Sequence, residues 1–333
     1  MKKLNLRKIE KLVIALLLTS TLLISCDKDD DDDCDGACAA PSATEFNAIR
    51  EIALDNITQN FQIDAANGMT TLTSENGVEI DIDANCLTLN GNAVTGQIDI
   101  EFVEVFDGGQ MLVTDKTTMG KLPNGDMAML ISGGEFYINA TQNGQQLALN
   151  CNMNLRIPAN LTAPDNDMTL WNGEMDDDGN LEWNEQVDGT VQGGVFLEQG
   201  AAGPTYYAFF NSFGWTNVDK FYNYAGLKTQ ILASVPAGYN FQNSAVYLHY
   251  DGEGNALAKL DTYDATSGLF SEHYGQIPVG LACHIIFATE ENGQWRYAIK
   301  AVTIAENAQY NFTLGETTVG SEAQLIAAIN ALP

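Results

Sequence analysis

The stretch SENGVEIDIDANCLTLNGNAVTGQIDIEFVEV (74–105) decides the fold class. Its first part alternates Val78, Ile80 and Ile82 with Glu79, Asp81 and Asp83; its last part alternates Ile98, Ile100 and Phe102 with Asp99 and Glu101. A period of two sends one set of side chains to a core and the other to water, as in a strand with one covered face. Between them lies Asn90-Gly91, a pair that accepts the positive φ of a tight turn. The pattern continues in EFYINA (135–140) and QLALN (146–150). Further Asn-Gly pairs start at Asn67, Asn76, Asn124, Asn143, Asn172 and Asn292, and Asp-Gly pairs at Asp107, Asp178, Asp188 and Asp251. Many short strands with closely spaced turns predict an all-β protein of sandwich type rather than βαβ units.

Helical periodicity flanks the β pattern. Ser42 and Glu45 form a capping-box pattern, and Phe46, Ile49, Ala53 and Ile57 recur at helical spacing, predicting a helix within 42–59. Ser321 and Gln324 repeat the capping pattern before Leu325, Ile326, Ile329 and Leu332, predicting a short C-terminal helix within 321–333. Between the helices the expectation is two β-sandwich-like domains, 60–165 and 206–320, joined by a hairpin and linker at 166–205. MTLWNGEMDDDGNLEWNEQ (168–186) reads as that hairpin, with Trp171 and Trp183 near its ends. The Gly-rich 189–205 reads as a crossing strand or linker. HIIFATEENGQWRYAIKAVTI (284–304) is the clearest hairpin, turning at Asn292-Gly293.

The N-terminus speaks to location. Lys2, Lys3, Arg7, Lys8 and Lys11 precede the apolar run LVIALLLTSTLLI (12–24), which is short for a membrane span and suited to an export signal. The run ends LISC, which looks like a bacterial lipobox. That likeness implies cleavage after residue 25 and acylation of Cys26, with two or three acyl chains giving a stable anchor. Residues 26–41 then form an acidic tether, expected to be disordered. Loss of 1–25 removes five basic residues and Glu10, taking the net charge from −29 to −33. So acidic a surface repels phosphate backbones, which argues against nucleic acid as a partner. Five cysteines remain: Cys34 and Cys38 are placed to close a loop in the tether, Cys86 and Cys151 to pair in the core, and Cys283 is left over. Buried thiols are an equal alternative for the last three.

The segment 74–105, followed by GGEFYINATQNGQQLAL, LWNG, LEW and FGWTNVDKF, resembles uncharacterised cell-surface lipoproteins of the Bacteroidota over roughly 60–330. The opening strands also resemble a ZU5-like β-sandwich. The resemblance implies a β-sandwich fold, an outer-membrane location and no established activity. It further implies that the acidic run after Cys26 (Asp27, Lys28, Asp29, Asp30, Asp31, Asp32 and Asp33) is an export address to the outer face. The alternative is a solvated spacer.

Three constellations bear on chemistry. In EMDDDGNLEWNE (174–185), Glu174, Asp176, Asp178, Asn180 and Glu185 fall at ligand positions of an EF-hand-like calcium loop, with Gly179 at its turn. Flanking strands rather than helices favour a plain hairpin turn with exposed carboxylates. The carboxylate rows of 79–83 and 97–101 read as solvated faces, or as a cation site should the strands be neighbours. YYAFFNSFGWTNVDKFYNY (206–224) is dense in aromatics. Tyr206, Tyr207, Trp215 and Tyr222 are candidates for stacking on sugar rings, against core packing.

Catalytic signatures are lacking. The sequence contains no H-E-x-x-H and no G-x-S-x-G, and no phosphate-binding glycine loop. Cys283 and His284 are strand neighbours and point to opposite faces. The expected function is therefore a surface-anchored, non-catalytic binding or envelope-organising β-protein, with a glycan as the suggested extracellular ligand. A secreted polysaccharide hydrolase using two carboxylates, or a calcium-stabilised structural module, is the alternative.

Overall fold

The two alternating runs of the segment that opens the sequence reading become strands in two different sheets, with two short strands of a third sheet between them, and that separation organises the molecule. A computed structural model describes residues 40–176, 179–186, 194–201 and 203–333. The leader, Cys26, the acidic run 27–33, Cys34, Cys38 and Asp178 lie outside these residues. The fold is predominantly β, with short helices near both ends.

Among the described residues the strands form five sheets. Gln97–Val105 lies in an eight-stranded sheet, between Gln59–Asp64 and the long strand Met127–Gln142. Next come Gly214–Phe221, Thr169–Met175, Leu181–Glu185 and Met119–Lys121, and the last pairs back onto Met127–Gln142. Five strands thus close into a ring around Leu130, Trp171, Leu181 and Trp183. Glu79–Asp83 lies in a five-stranded sheet, between Met69–Thr73 and Met153–Pro158, which continues to Gly203–Phe210 and Val195–Gly200. The inward residues of the two sheets share one core. Ile80, Ile82, Leu155 and Ile157 join Ile98, Ile100, Phe102, Phe136 and Ile138 in it, all essentially without exposure. Each such side chain contributes about 1.5–3 kcal/mol by leaving water.

A three-stranded patch formed by Leu87–Leu89, Asn92–Ala93 and Ala148–Leu149 sits beside the Cys86–Cys151 disulfide, which closes a separation of 65 residues. Cys283 is free and buried. Two further sheets, of four and five strands, hold residues from Lys228 to Gly320. They include the hairpin Ala282–Glu291 with Gln294–Thr303, whose turn residues Asn292 and Gly293 have φ of 52° and 78°.

Strand pairing therefore divides the chain between Phe221 and Lys228, not at 205/206. Thr169–Met175 and Leu181–Glu185 pair as the expected hairpin, Val195–Gly200 takes the strand alternative for 189–205, and all three belong to sheets of the first group. Val195–Gly200 pairs with the aromatic strand Gly203–Phe210, and residues 189–193 and 202 of the Gly-rich stretch lie outside the described residues. The two groups also share a core: the cluster around Ile98 and Phe136 includes Val246, Ile285 and Phe287 of the second group. Residues 40–333 accordingly form one compact unit.

Three helices bind the groups together. Helix α1 (Ala43–Ile57) has the Ser42–Glu45 capping box and buries Phe46, Ile49 and Ala53. Helix α2 (Gly108–Thr114) starts where a turn was expected: Asp107 accepts from the Gln110 N–H and caps it, so Asp107-Gly108 is a helix start. Helix α3 (Glu322–Asn330) carries the Ser321–Gln324 box. Gly109 permits close contact of α2 with α3, since a Cβ there would lie 2.8 Å from the Ile326 carbonyl oxygen. Phe46, Val105, Leu112, Tyr247, Trp295 and Leu325 share the second core cluster, which joins all three helices to both strand groups. No helix among the described residues is long and apolar enough to cross a membrane.

Candidate functional site: a cleft where helices and strand groups meet

A cleft of about 750 Å³ opens over this junction. One side is α1, with Asn47, Arg50 and Glu51, and the end of α2 with the two residues that follow it, 114–116. Lys259, Asp261 and Tyr263 enter from the second strand group, and Asn180 from the hairpin of the first. Phe241 stands 54% exposed at the rim, its ring 5.5 Å from that of Tyr263.

Asp115 organises the floor. It is the C-cap of α2 with φ 55°, a left-handed conformation that Asp tolerates better than most residues. Its carboxylate pairs with Arg50 Nη1 at 3.2 Å and Lys259 Nζ at 2.9 Å, and accepts from the Tyr247 hydroxyl at 2.7 Å. Arg50 Nη2 in turn donates to Tyr247 Oη at 2.9 Å, and Lys259 Nζ donates to Asn180 Oδ1 at 2.8 Å. Burial alone would raise the Asp115 pKa, but Arg50 and Lys259 pull it down to about 2. Burial lowers the pKa of Lys259, with Asp115 opposing. Arg50 Nε is buried without a hydrogen-bond partner. Lys116 lies 5.4 Å over the Trp215 ring, and burial lowers its pKa. The cleft thus gathers three cations in a chain of net charge −29.

Carboxylates lie on the Asp261 side. Burial raises the Asp261 pKa, while Tyr274, which donates to it at 3.1 Å, pulls the other way. Beyond it, Glu272 is 2% exposed and accepts from the Gly275 and Gln276 N–H groups at 3.2 Å. Burial raises its pKa to about 7.

The candidates from sequence fall elsewhere. Tyr206 is completely buried, its hydroxyl accepting from the Asp165 N–H, so it has no face for a ligand. The alternation of a strand shows that one face is core, and Tyr206 is on it. Tyr207 is half-buried opposite Arg156, Trp215 packs against Tyr137, and Tyr222 meets Tyr250 edge-on. These rings line no common surface. In the 174–185 hairpin, Met175 pairs with Leu181 and Trp171 with Glu185, which sets Glu185 three cross-strand pairs from Glu174. Asp176 instead caps the turn, accepting from the Asn180 N–H at 2.8 Å and from Asn180 Nδ2 at 2.9 Å. Among the described residues no group of three or more His, Cys, Asp or Glu side chains is placed to hold a metal ion.

The rows at 79–83 and 97–101 belong to different sheets and are not neighbours. Arg156 bridges Glu79, at 2.6 Å, and Asp81. Sequence reasoning missed Arg50, Asp115, Lys259 and Phe241. Their only local signal was Arg50 on the helix predicted at 42–59.

Comparisons with known proteins return no match: no family model, no curated protein and no solved structure resembles this chain.

Proposed function

We propose that this chain is a lipoprotein anchored through Cys26 to the outer membrane and facing outward, and that it is a non-catalytic binding protein whose ligand is an acidic glycan held in the junction cleft. A fold of two merged β-sandwich-like halves would be its scaffold. The carrying observation is the pairing of an exposed aromatic rim, Phe241 with Tyr263, and a floor holding Arg50, Lys116 and Lys259. Sugar rings offer apolar faces to aromatics, and their carboxylate or sulfate groups suit cations in a partly dry cleft. The net charge of −29 would disfavour an acidic glycan over much of the surface, so the three cations gathered in this cleft direct binding to it.

A hydrolase has less support. Asp115 is saturated by Arg50, Lys259 and Tyr247, and the carboxylates that remain in the lining, Glu51 and Asp261, stand on different walls with Asp261 already bonded by Tyr274. The test is calorimetric titration of the full chain with uronate-containing and neutral oligosaccharides of equal length. Binding of the uronate series alone is expected, lost in Lys116→Ala and weakened about tenfold in Phe241→Ala. Equal binding of neutral sugars, or no binding by either series, would refute it.

A further inference from the structure

A second polar cluster lies at the same junction, wholly beneath the surface. Glu135, on Met127–Gln142, is paired in register with Asn217, on Gly214–Phe221, so the two side chains share a sheet face. Asn217 Nδ2 donates to Asp219 Oδ2 at 2.6 Å, which places Asp219 on that face too. Ser132 Oγ donates to Asn217 Oδ1 at 3.1 Å. Glu135, Asp219, Asn217 and Ser132 are each 0% exposed.

The pairing is irregular here. The register shifts between Asn217 and Asp219, and Gly134 has φ 134°. A Cβ on Gly133 would lie 2.8 Å from the Val218 carbonyl oxygen, so glycine alone allows the strands this close. Such bulges re-aim side chains. Here the result is two carboxyl groups in a dry interior. Asn255 of the second strand group closes over them, its Nδ2 donating to the Ser132 carbonyl and its own carbonyl accepting from the Ser132 N–H.

The oxygens do not complete one another. Both Glu135 carboxyl oxygens and Asp219 Oδ1 are buried with no hydrogen-bond partner. Buried polar groups are almost always satisfied, and a buried carboxylate most of all. The cation whose field reaches Glu135 is Lys116, and it forms no ion pair with it: its ammonium lies against Trp215. Burial raises the pKa of both acids well above the usual carboxylate range.

We propose that Glu135 and Asp219 bind one calcium ion at the junction of the two strand groups, with Asn217 Oδ1 and Ser132 Oγ beside them. The donors are all oxygen, which selects a hard cation. Two carboxylates balance a divalent charge. A fully buried site whose donors are protein oxygens suits calcium better than magnesium, which dehydrates reluctantly. Since Ser132 also bonds Asn255, the ion would fasten the second strand group to the first. This is independent of the glycan reading, because none of the four residues lines the cleft.

The test is elemental analysis of the purified full chain after dialysis, with thermal melts in chelator and in calcium chloride. One calcium per chain is expected, and a midpoint lower by about 5–10 °C in chelator and restored by calcium. Glu135→Gln and Asp219→Asn should each abolish the calcium response, whereas Asp176→Asn, in the hairpin turn, should keep it. A wild-type chain with no metal and a midpoint indifferent to chelator and calcium would overturn the proposal. So would a calcium response that Asp176→Asn removes. The wild-type and Asp176→Asn melts decide even where a core variant fails to fold.

Discussion

Two charged clusters share one junction, and only one of them carries its own counter-charges. Around Asp115, two cations and a tyrosine hydroxyl surround one carboxylate, and its pKa falls to about 2. Around Glu135 and Asp219, two carboxyl groups sit with three unpartnered oxygens, and their pKa values rise. The first draws on α1, the end of α2 and the second strand group; the second draws on the long central strand, on Gly214–Phe221 and, through Asn255, on the second strand group. They differ in burial, with the Asp115 side chain 12% exposed and Glu135 and Asp219 at 0%, and still more in company. In the first the interior stabilises ionisation because opposite charge is within 3.2 Å. In the second it opposes ionisation unless a cation enters from outside the chain.

The largest break in this comparison is Asp115→Asn. Asn keeps the left-handed backbone and the side-chain shape but removes the charge, leaving Arg50 and Lys259 buried together. A loss of about 3–5 kcal/mol in urea unfolding is expected. A loss below about 1 kcal/mol would mean that both cations reach water, and the contrast between the clusters would collapse.

Glu272 is an intermediate case, a carboxyl satisfied by main-chain amides rather than by cations. Its pKa rises from 4.5 to about 7, so between these values the folded chain holds a proton that the unfolded chain has released. Stability is thus fully present below about pH 4.5 and declines as pH rises toward 7. The difference amounts to about 3 kcal/mol. Glu272→Gln cannot ionise, so its stability should fall less than that of wild type over this window. Parallel pH profiles for the two proteins would place the Glu272 carboxyl in water.

These clusters also show what was legible in the sequence. Both end helices were, because their caps and apolar positions lie within one or two turns of each other. The alternating strands were, for the same local reason. The punctuation was only partly so. Asn292-Gly293 makes a turn, but Asn172-Gly173 lies within a strand, where Gly173 is needed because a Cβ would strike Trp215, Leu181 and Trp183. Asp107-Gly108 begins a helix too short to show a period. The junction was hidden because its contacts are remote: Arg50 and Tyr247 are 197 residues apart, Asp115 and Lys259 are 144. The aromatic run failed as a guide because alternation says that faces differ, not which of them is covered. A buried Tyr206 and a rim Phe241 look alike in one dimension.

The smallest effect tests whether the clusters are separate. Tyr247→Phe keeps the ring and removes the hydroxyl that joins Arg50 to Asp115. Both charged groups retain each other, so a loss of about 1–2 kcal/mol is expected rather than the larger cost of stranding a charge. Lys116 stands between the clusters, its ammonium acted on by both Asp115 and Glu135. Were the floor of the cleft to move when Tyr247 is cut, Lys116 could swing toward Glu135 and neutralise it. Tyr247→Phe and Glu135→Gln would then not add. Additivity within about 0.5 kcal/mol, measured in chelator so that metal plays no part, is the result expected if the Trp215 ring holds Lys116 in place. A larger coupling would make Lys116 the internal counter-ion of Glu135 and join the two clusters into one network.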